Sequence, residues 1–500
     1  MMNKFATGLF FLFVLISTAN AQVLNDAVRY SLLDVGGSAR FVGVGGSMGA
    51  LGADFSVLST NPAGAAAFRR SRFVFTPAFE FSSSDARLTA GDNNPEVNDT
   101  RARFNFNNIG VVFSGRPLSS KWRTAVFGIG LNRVATFHQK VSYEGTSFGS
   151  ITDRWWELAG TLPPEQLDAF EAGVAFDAAA LYDYDPQLGY LTDFLDDQEL
   201  PGSFLVDKSQ EMERKGSINE LVFTYAANYD EKIMIGATLG LPILNFEETK
   251  IYSENDDPGR VPFFDELEFT ENLTTKGAGI NLKLGLIYRM SQMVRLGAAI
   301  HSPTSFSLED NFSTALSYRY EDSNGTQRLE ANSPAGGFEY RLRTPWRFIG
   351  SGGVIIGKQG FLSAEIEYVD YTNASFNFNN TAELADLERE EELNTEIHTQ
   401  LQPGINIRFG GEYALQDFRL RAGYALNASP FANTDEKNGS LSLGAGYSGK
   451  DFFADLAFKY SSSESEYRPY LLSLENRGLE QPVHIKEQQG RLLLTIGFKF

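Results

Sequence analysis

Few residues in this chain have the types and spacing needed for catalysis. The run from Gly145 to Gly149, GTSFG, has the spacing that presents a nucleophilic serine on a sharp turn between a strand and a helix. The following residues, SITDRWW, predict no clear helix, so we expect the match to be fortuitous.

Metal and nucleotide chemistry are equally weakly supported. In GVGGSMG, Met48 stands in the place of the third glycine of a dinucleotide fingerprint, and no strand precedes it. The neighbours His301 and Ser302 have no third partner that would complete a hydrolase site. We therefore expect no enzyme, no cofactor and no metal. The histidines show no metal-ligand spacing; they are His138, His301, His398 and His484.

Composition narrows the class of protein further. The 500 residues contain no cysteine, which excludes disulfides and thiol chemistry. The net charge of −20 lacks the basic footprint of a nucleic-acid-binding protein, so no nucleic acid is expected as a partner. Aromatic residues make up 13% of the chain, and these favour strands.

The first residues predict export. Lys4 precedes an apolar stretch from Phe5 to Ile16, and a small-residue cleavage site ends at Ala21. We therefore interpret residues 1–21 as a cleavable signal peptide. No later segment approaches the ~20 apolar residues of a membrane-spanning helix.

From about Arg72 onward the side-chain pattern alternates with a period of two, as in FRLRAGYALN (residues 418–427). We predict about fourteen strands, many of ten or more residues. Among them are runs near 312–320 and 338–356, and a hairpin over 440–460. Short turns alternate with long polar loops, and the chain ends on Phe500 after a clean strand. These features predict an all-β fold, a transmembrane antiparallel barrel in a bacterial outer membrane.

On that interpretation one face of each strand meets lipid and the other faces the lumen. Charges of both signs on the lumen face can pair with each other or hold something seated inside. They are Glu365, Glu367, Arg408, Glu412, Arg419, Arg421, Asp455 and Lys459.

A thin, partly apolar segment precedes the first strand. Met48, Leu51, Phe55 and Leu58 have the spacing of one face of a short helix. Asn61 then suits an N-cap and Pro62 the first position of a second short helix. We predict that residues 22–70 form a helical hatch, or plug, inside a barrel of residues 71–500.

The segment Asn61, Pro62, Ala63 and Gly64, placed just before the first strand, resembles the hatch motif of the FadL/TodX family of outer-membrane transporters of hydrophobic compounds. The resemblance implies a fourteen-stranded barrel and passive transport of hydrophobic molecules, most of all long-chain fatty acids. The ligand would bind in an interior pocket, the hatch would move, and the ligand would leave sideways into the outer membrane. It also implies a monomer in contact with outer-membrane lipids and lipopolysaccharide.

In that family the side opening lies in the third strand. Here Gly128 and Gly130 would permit such a break, or they are two ordinary strand glycines. A helical external insert near 150–215 places Leu167, Phe170 and Val174 on one stripe, which would contact a ligand or pack as an ordinary loop. A second, acidic insert lies near 380–400, and its role stays open.

Two alternatives remain to transport of hydrophobic molecules. The first is a binding or structural barrel that keeps the plug but passes nothing. The second is a porin for polar solutes, against which the plug argues, because a porin needs an open lumen.

Overall fold

The computed structural model describes residues 20–34, 36–89, 93–117, 121–195, 204–378, 384–432, 434, 437–473 and 476–500. Nearly all of the predicted signal peptide lies outside these ranges. Within them, no helix combines the length and the apolar composition needed to cross a membrane. The α-helices are α1 (Asn20–Ser31), α2 (Ala39–Gly43), α3 (Ile151–Ala159), α4 (Ala172–Asp177) and α5 (Leu384–Gln400).

Most of the chain is strand. The strands are β1 (Arg72–Leu88), β2 (Val97–Gly115), β3 (Trp122–Thr136), β4 (Gln139–Phe148), β5 (Tyr182–Asp185), β6 (Gly189–Leu191), β7 (Leu205–Tyr229), β8 (Ile233–Asn255), β9 (Phe264–Arg289), β10 (Val294–His301), β11 (Ser305–Asp322), β12 (Gly325–Asn332), β13 (Gly336–Arg343), β14 (Arg347–Ile356), β15 (Gly360–Asp370), β16 (Ser375–Asn377), β17 (Pro403–Leu415), β18 (Phe418–Ala428), β19 (Lys437–Ser448), β20 (Phe452–Tyr467) and β21 (Val483–Lys499).

Fourteen of these strands close into an antiparallel barrel, as the sequence predicts. Their order around the wall is β1, β2, β3, β7, β8, β9, β10, β14, β15, β17, β18, β19, β20 and β21. The first and last strands form the closing seam, which runs from Arg72 opposite Lys499 to Leu88 opposite Val483.

The predicted number of wall strands, fourteen, is right, but two of the predicted runs have a different place in the fold. The run 312–320 belongs to β11, which pairs with the outer half of β9 and with β13 beyond the closed wall. The run 440–460 instead supplies two wall strands, β19 and β20.

One side of the barrel extends well past the membrane. Strands β7, β8 and β9 have 25, 23 and 26 residues, whereas ~9–11 span a bilayer. Their outer halves pair with β4 and β11, and α3 packs on them through the fully buried Trp155, whose ring lies 5.2 Å from that of Phe269.

The outward face of the wall is apolar. Exposed side chains include Leu284, Ile366 and Leu456, at 46%, 53% and 46% of their maximal exposure. A water-soluble barrel would not expose a continuous apolar band, so this surface faces lipid. The inward face carries the predicted charges, and Glu365, Arg421 and others of that set are buried.

The residues before β1 lie inside the barrel. They comprise α1, α2 and two 3₁₀ helices, Phe55–Ser59 and Pro62–Ala67, and nearly all of this segment from residue 38 onward is buried. Because the segment is thin and rich in glycine and alanine, it fits within the lumen against the inward side chains of the wall. It is the hatch that the sequence predicts.

Candidate functional site

The Asn-Pro-Ala-Gly segment starts a short helix deep in the lumen. The Asn61 side chain accepts a hydrogen bond from the Ala63 N–H (3.2 Å) and so caps the 3₁₀ helix Pro62–Ala67. Its amide nitrogen donates to the Gly49 carbonyl (2.7 Å). Asn61 therefore connects two separate parts of the hatch, and residues 61–64 are all buried.

Glycines in the wall allow this motif to sit directly against the barrel. A Cβ on Gly285 would lie 2.0 Å from Asn61 Oδ1, and one on Gly236 would lie 2.4 Å from the carbonyl carbon of Pro62. Both distances are far below van der Waals contact, so a side chain at either position would displace the motif. The motif is thus positioned by the wall as much as by its own helix.

The four side chains of the predicted apolar hatch face do not share a helix, so that prediction is wrong. Phe55 and Leu58 lie in a 3₁₀ helix, whereas Met48 and Leu51 lie in turns before it. Gly52, at φ 71°, interrupts the run. All four side chains are nevertheless buried, because they pack in one core between the hatch and the wall.

The wall shows no break at Gly128 and Gly130, the positions predicted for a side opening. There β3 pairs with β2 on one side and with β7 on the other. A Cβ on Gly128 would lie 2.6 Å from Leu58 Cδ2, and one on Gly130 would lie 2.5 Å from Phe55 Cζ. These glycines therefore make room for hatch side chains.

Backbone pairing in the wall stops further along the same strand. Pairing between β2 and β3 ends at Asn108 opposite Asn132. Beyond that point, within the described residues, residues 97–106 of β2 pair only with β1, while the end of β3 and all of β4 pair only with β7. The register of β3 against β7 also shifts between Arg133 and Ala135. We call this unpaired stretch the wall gap.

Residues from both sides of the wall gap line a small cavity. Arg101 and Arg103 come from β2, His138 lies just after β3, and Asp34 comes from the hatch. Arg101 Nη1 and His138 Nδ1 are buried and have no hydrogen-bond partner in the described part of the chain. The cavity therefore offers nitrogen atoms that could bind an anionic group.

Asp34 links this cavity to the hatch. Its carboxylate accepts from Lys459 Nζ, and its other oxygen lies 2.7 Å from Arg491 Nη1. Burial alone would raise the pKa of Asp34, but the two cations outweigh burial and hold that pKa well below its usual range. The contact between the hatch and the wall at Asp34 is therefore an ion pair at any physiological pH.

A second set of ion pairs holds α2. Arg40 Nε lies 3.0 Å from Glu412 Oε2, and that carboxylate also pairs with Arg421 (2.7 Å). Arg421 in turn pairs with Asp455 (2.7 Å). Three of the eight predicted lumen charges, Glu365, Glu412 and Lys459, bind the hatch directly, Glu365 by accepting from the Gly49 N–H (3.1 Å). Arg421 and Asp455 support Glu412.

A second small cavity is lined in part by Tyr30, Ser31 and Leu33, at the end of α1 and just after it. Its lining combines apolar side chains, such as Leu33 and Phe306, with Lys283 and His301. His301 Nε2 lies 2.6 Å from the Thr60 carbonyl, so this histidine holds the hatch.

The external insert differs from its predicted form. The helix α4 covers only residues 172–177, so Leu167 and Phe170 lie ahead of it and only Val174 is helical. Val174 is fully buried, whereas Leu167 and Phe170 are half-buried. The Phe170 ring lies 4.6 Å from that of Phe312 and is tilted against it. Of the predicted stripe, only these two retain surface for a ligand.

The acidic insert forms α5, which docks inside against the hatch helix α1. Leu393 and Ile397 are buried in a core that contains α1 residues. Asn394 receives a hydrogen bond from the Phe376 N–H (2.8 Å) and donates to the Phe376 carbonyl (3.0 Å). One face of the helix is thus a structural link between an external loop and the hatch, which its acidic sequence did not suggest.

A helix does follow GTSFG, contrary to the sequence prediction. Helix α3 starts after Ser150, whose side chain and that of Asp153 form a reciprocal capping box. The serine of the pattern, Ser147, lies within the regular strand β4 and is buried. It therefore lacks the exposed, sharply turned position of a nucleophile.

No family model matches the sequence, and no curated protein matches it. Solved structures do match the fold. The crystal structure of a Pseudomonas aeruginosa FadL homologue has a TM-score of 0.53 at 13% identity, over 94% of this chain and 100% of the other. That of the P. putida toluene transporter TodX has a TM-score of 0.52 at 14% identity, over 93% and 99%. TodX is a transporter by name. The chain therefore has the hatch-plugged, fourteen-stranded barrel fold of FadL and TodX, which bears out the resemblance seen in its sequence.

Proposed function

We propose that this protein is an outer-membrane channel for the facilitated diffusion of hydrophobic small molecules, with long-chain fatty acids as the leading substrates. The ligand reaches the lumen past the external loops and binds beside the hatch. Movement of the hatch then lets it leave through the wall gap into the membrane. The toluene transport named for TodX supports the general class of substrate.

The observation that carries the proposal is the position of the wall gap. It opens next to a cavity that Asp34 of the hatch also lines. Displacement of the hatch would therefore change the space immediately inside the gap.

The free nitrogen donors of that cavity favour a fatty acid over a plain hydrocarbon. Arg101 and His138 offer hydrogen bonds to a carboxylate, and toluene has no group to receive them. The acyl chain gains about 0.8 kcal/mol for each CH₂ that leaves water, which a water-filled pore would not provide.

The experiment is uptake of a labelled long-chain fatty acid by bacteria that lack their own transporter. We compare cells with the chain, cells without it, and cells with Asn105→Trp. Asn105 is a buried β2 residue on the unpaired stretch of the gap. The control is Ile109→Trp, at an exposed position of the same strand that still pairs with β3.

We expect the chain and the control to restore uptake, and Asn105→Trp to leave uptake at the level of cells without the chain. Equal uptake by both tryptophan variants would remove the wall gap from the route. No uptake by the folded wild-type protein would reject fatty acids and favour a barrel that does not transport. Passage of small ions and sugars would favour a porin.

A further inference from the structure

The end of the barrel that carries the short turns is basic, although the whole chain is strongly acidic. Thirteen lysines and arginines lie in these turns or within two residues of them, against four aspartates and glutamates. We call this set the basic rim. Its cations are Arg69, Arg70, Arg72, Arg116, Lys121, Arg123, Lys232, Arg289, Arg295, Lys358, Arg419, Lys450 and Lys499. Its acids are Asp230, Glu231, Asp417 and Asp451.

The opposite end has the reverse charge. The described residues 149–195 contain nine aspartates and glutamates and one arginine. The described residues 384–400 contain six and one. Charge is therefore sorted between the two ends of the barrel, and the overall net charge conceals a local excess of cations.

Several rim cations are available to a partner. Arg69 pairs with Glu231 (3.1 Å) and Arg70 with Asp451 (2.8 Å), which uses two of the four acids. Four lysines are exposed and have no carboxylate within 4.0 Å among the described residues. They are Lys121, Lys232, Lys358 and Lys450.

These four lysines encircle the barrel. They lie in four different turns, between β2 and β3, β7 and β8, β14 and β15, and β19 and β20. Each stands within two residues of an apolar side chain at the end of a strand, for example Lys232 before Ile233 and Lys450 before Phe452. A protein partner would engage one sector of such a ring, whereas a lipid leaflet surrounds all of it.

We propose that the basic rim binds the headgroups of anionic phospholipids. Since short turns face the periplasm in outer-membrane barrels, the lipids are those of the inner leaflet. The ring thereby fixes the height of the barrel in the membrane, with its acidic loops kept outside.

The test uses the full-length mature protein in vesicles of phosphatidylcholine and phosphatidylglycerol. Electron paramagnetic resonance with spin-labelled lipids gives the association constant of each lipid at the barrel surface. The rim variant carries Lys→Gln at positions 121, 232, 358 and 450. The control variant replaces four exposed cations at the other end of the barrel with glutamine and so removes the same charge. They are Lys276, Arg343, Arg477 and Lys486.

We expect the wild type and the control to prefer phosphatidylglycerol by about fivefold, as basic residues near a membrane surface do. The rim variant should show no preference, and 1 M salt should abolish that of the wild type. If the rim variant does not fold, the salt titration of the wild type decides alone. Equal association of the two lipids with the wild type would overturn the proposal and would leave an acidic periplasmic protein as the partner of the rim. A preference that the rim variant retains would overturn it as well.

Discussion

Individual wall side chains satisfy the backbone of the hatch. Arg295 Nη1 donates to the Leu51 carbonyl (3.0 Å), and Thr124 Oγ1 donates to the Ala66 carbonyl (2.7 Å). A buried carbonyl left without its donor costs about 1–3 kcal/mol. The irregular hatch, which has little secondary structure of its own, can therefore be stable only inside this wall.

The buried Asp26 in α1 predicts a pH dependence at this same scale. Burial raises the pKa of Asp26 to about 7. The nearby Arg29 cation acts to lower this pKa, and the Asp310 carboxylate acts to raise it. The folded pKa lies above the ordinary value, so the stability that this group gives to docked α1 is fully present below about pH 4. It is lost as the pH rises through about 7.

We therefore expect the amides of α1 to be less protected from hydrogen exchange at pH 8 than at pH 5, after correction for intrinsic rates. Asp26→Asn should remove this difference. Asp257→Asn, at an exposed position, is the control and should retain it. Equal protection of wild-type α1 at the two pH values would contradict the prediction.

Among the elements, those with a local signal were predictable from the sequence. The alternation along residues 418–427 predicted β18, because one face of the strand meets lipid and the other faces the lumen. The Asn61 cap is equally local. Helix α3 also had a signal that was overlooked, the Ser150-x-x-Asp153 capping box.

Features that depend on distant contacts were not predictable. In the sequence, Gly128 and Gly130 look the same as glycines at a break in a strand. Only the structure shows that hatch side chains pack against them. The wall gap depends on where β2 and β3 stop pairing, which no residue pattern marks. Docking of α5 on α1 joins segments more than 350 residues apart.

This docking gives a prediction for α5. Leu393→Ala with Ile397→Ala removes its two buried anchors, and such truncations cost about 2–5 kcal/mol each. We expect the helix to detach and to become sensitive to a glutamate-specific protease, while the barrel stays folded. The control, Leu384→Ala with Leu387→Ala, changes residues that are 70% and 52% exposed. Equal cleavage of the two variants would show that Leu393 and Ile397 do not anchor α5.

For the whole molecule, the separation of wall and hatch predicts the effect of removing the hatch. Among the described residues the hatch contributes no strand to the wall, so deletion of residues 22–67 should leave a folded barrel. Arg421 and Asp455 would still pair within the wall. We expect ion conductance in planar bilayers to rise well above that of the intact protein. Conductance unchanged in a barrel with normal heat-modifiable mobility would mean that the hatch does not block the lumen.

The closing seam between β1 and β21 also constrains how the protein is made. The hatch precedes β1 in the chain, yet it lies inside a ring that only the last strand completes, where the Phe500 N–H reaches the Ser71 carbonyl (3.0 Å). Hundreds of residues must therefore be exported before the ring can shut, and contacts so distant in sequence form slowly. The N-terminal segment must already be in place at that moment, since threading it in afterwards would require the barrel to reopen. Assembly thus has an obligatory order, in which the hatch takes its place before the wall closes around it.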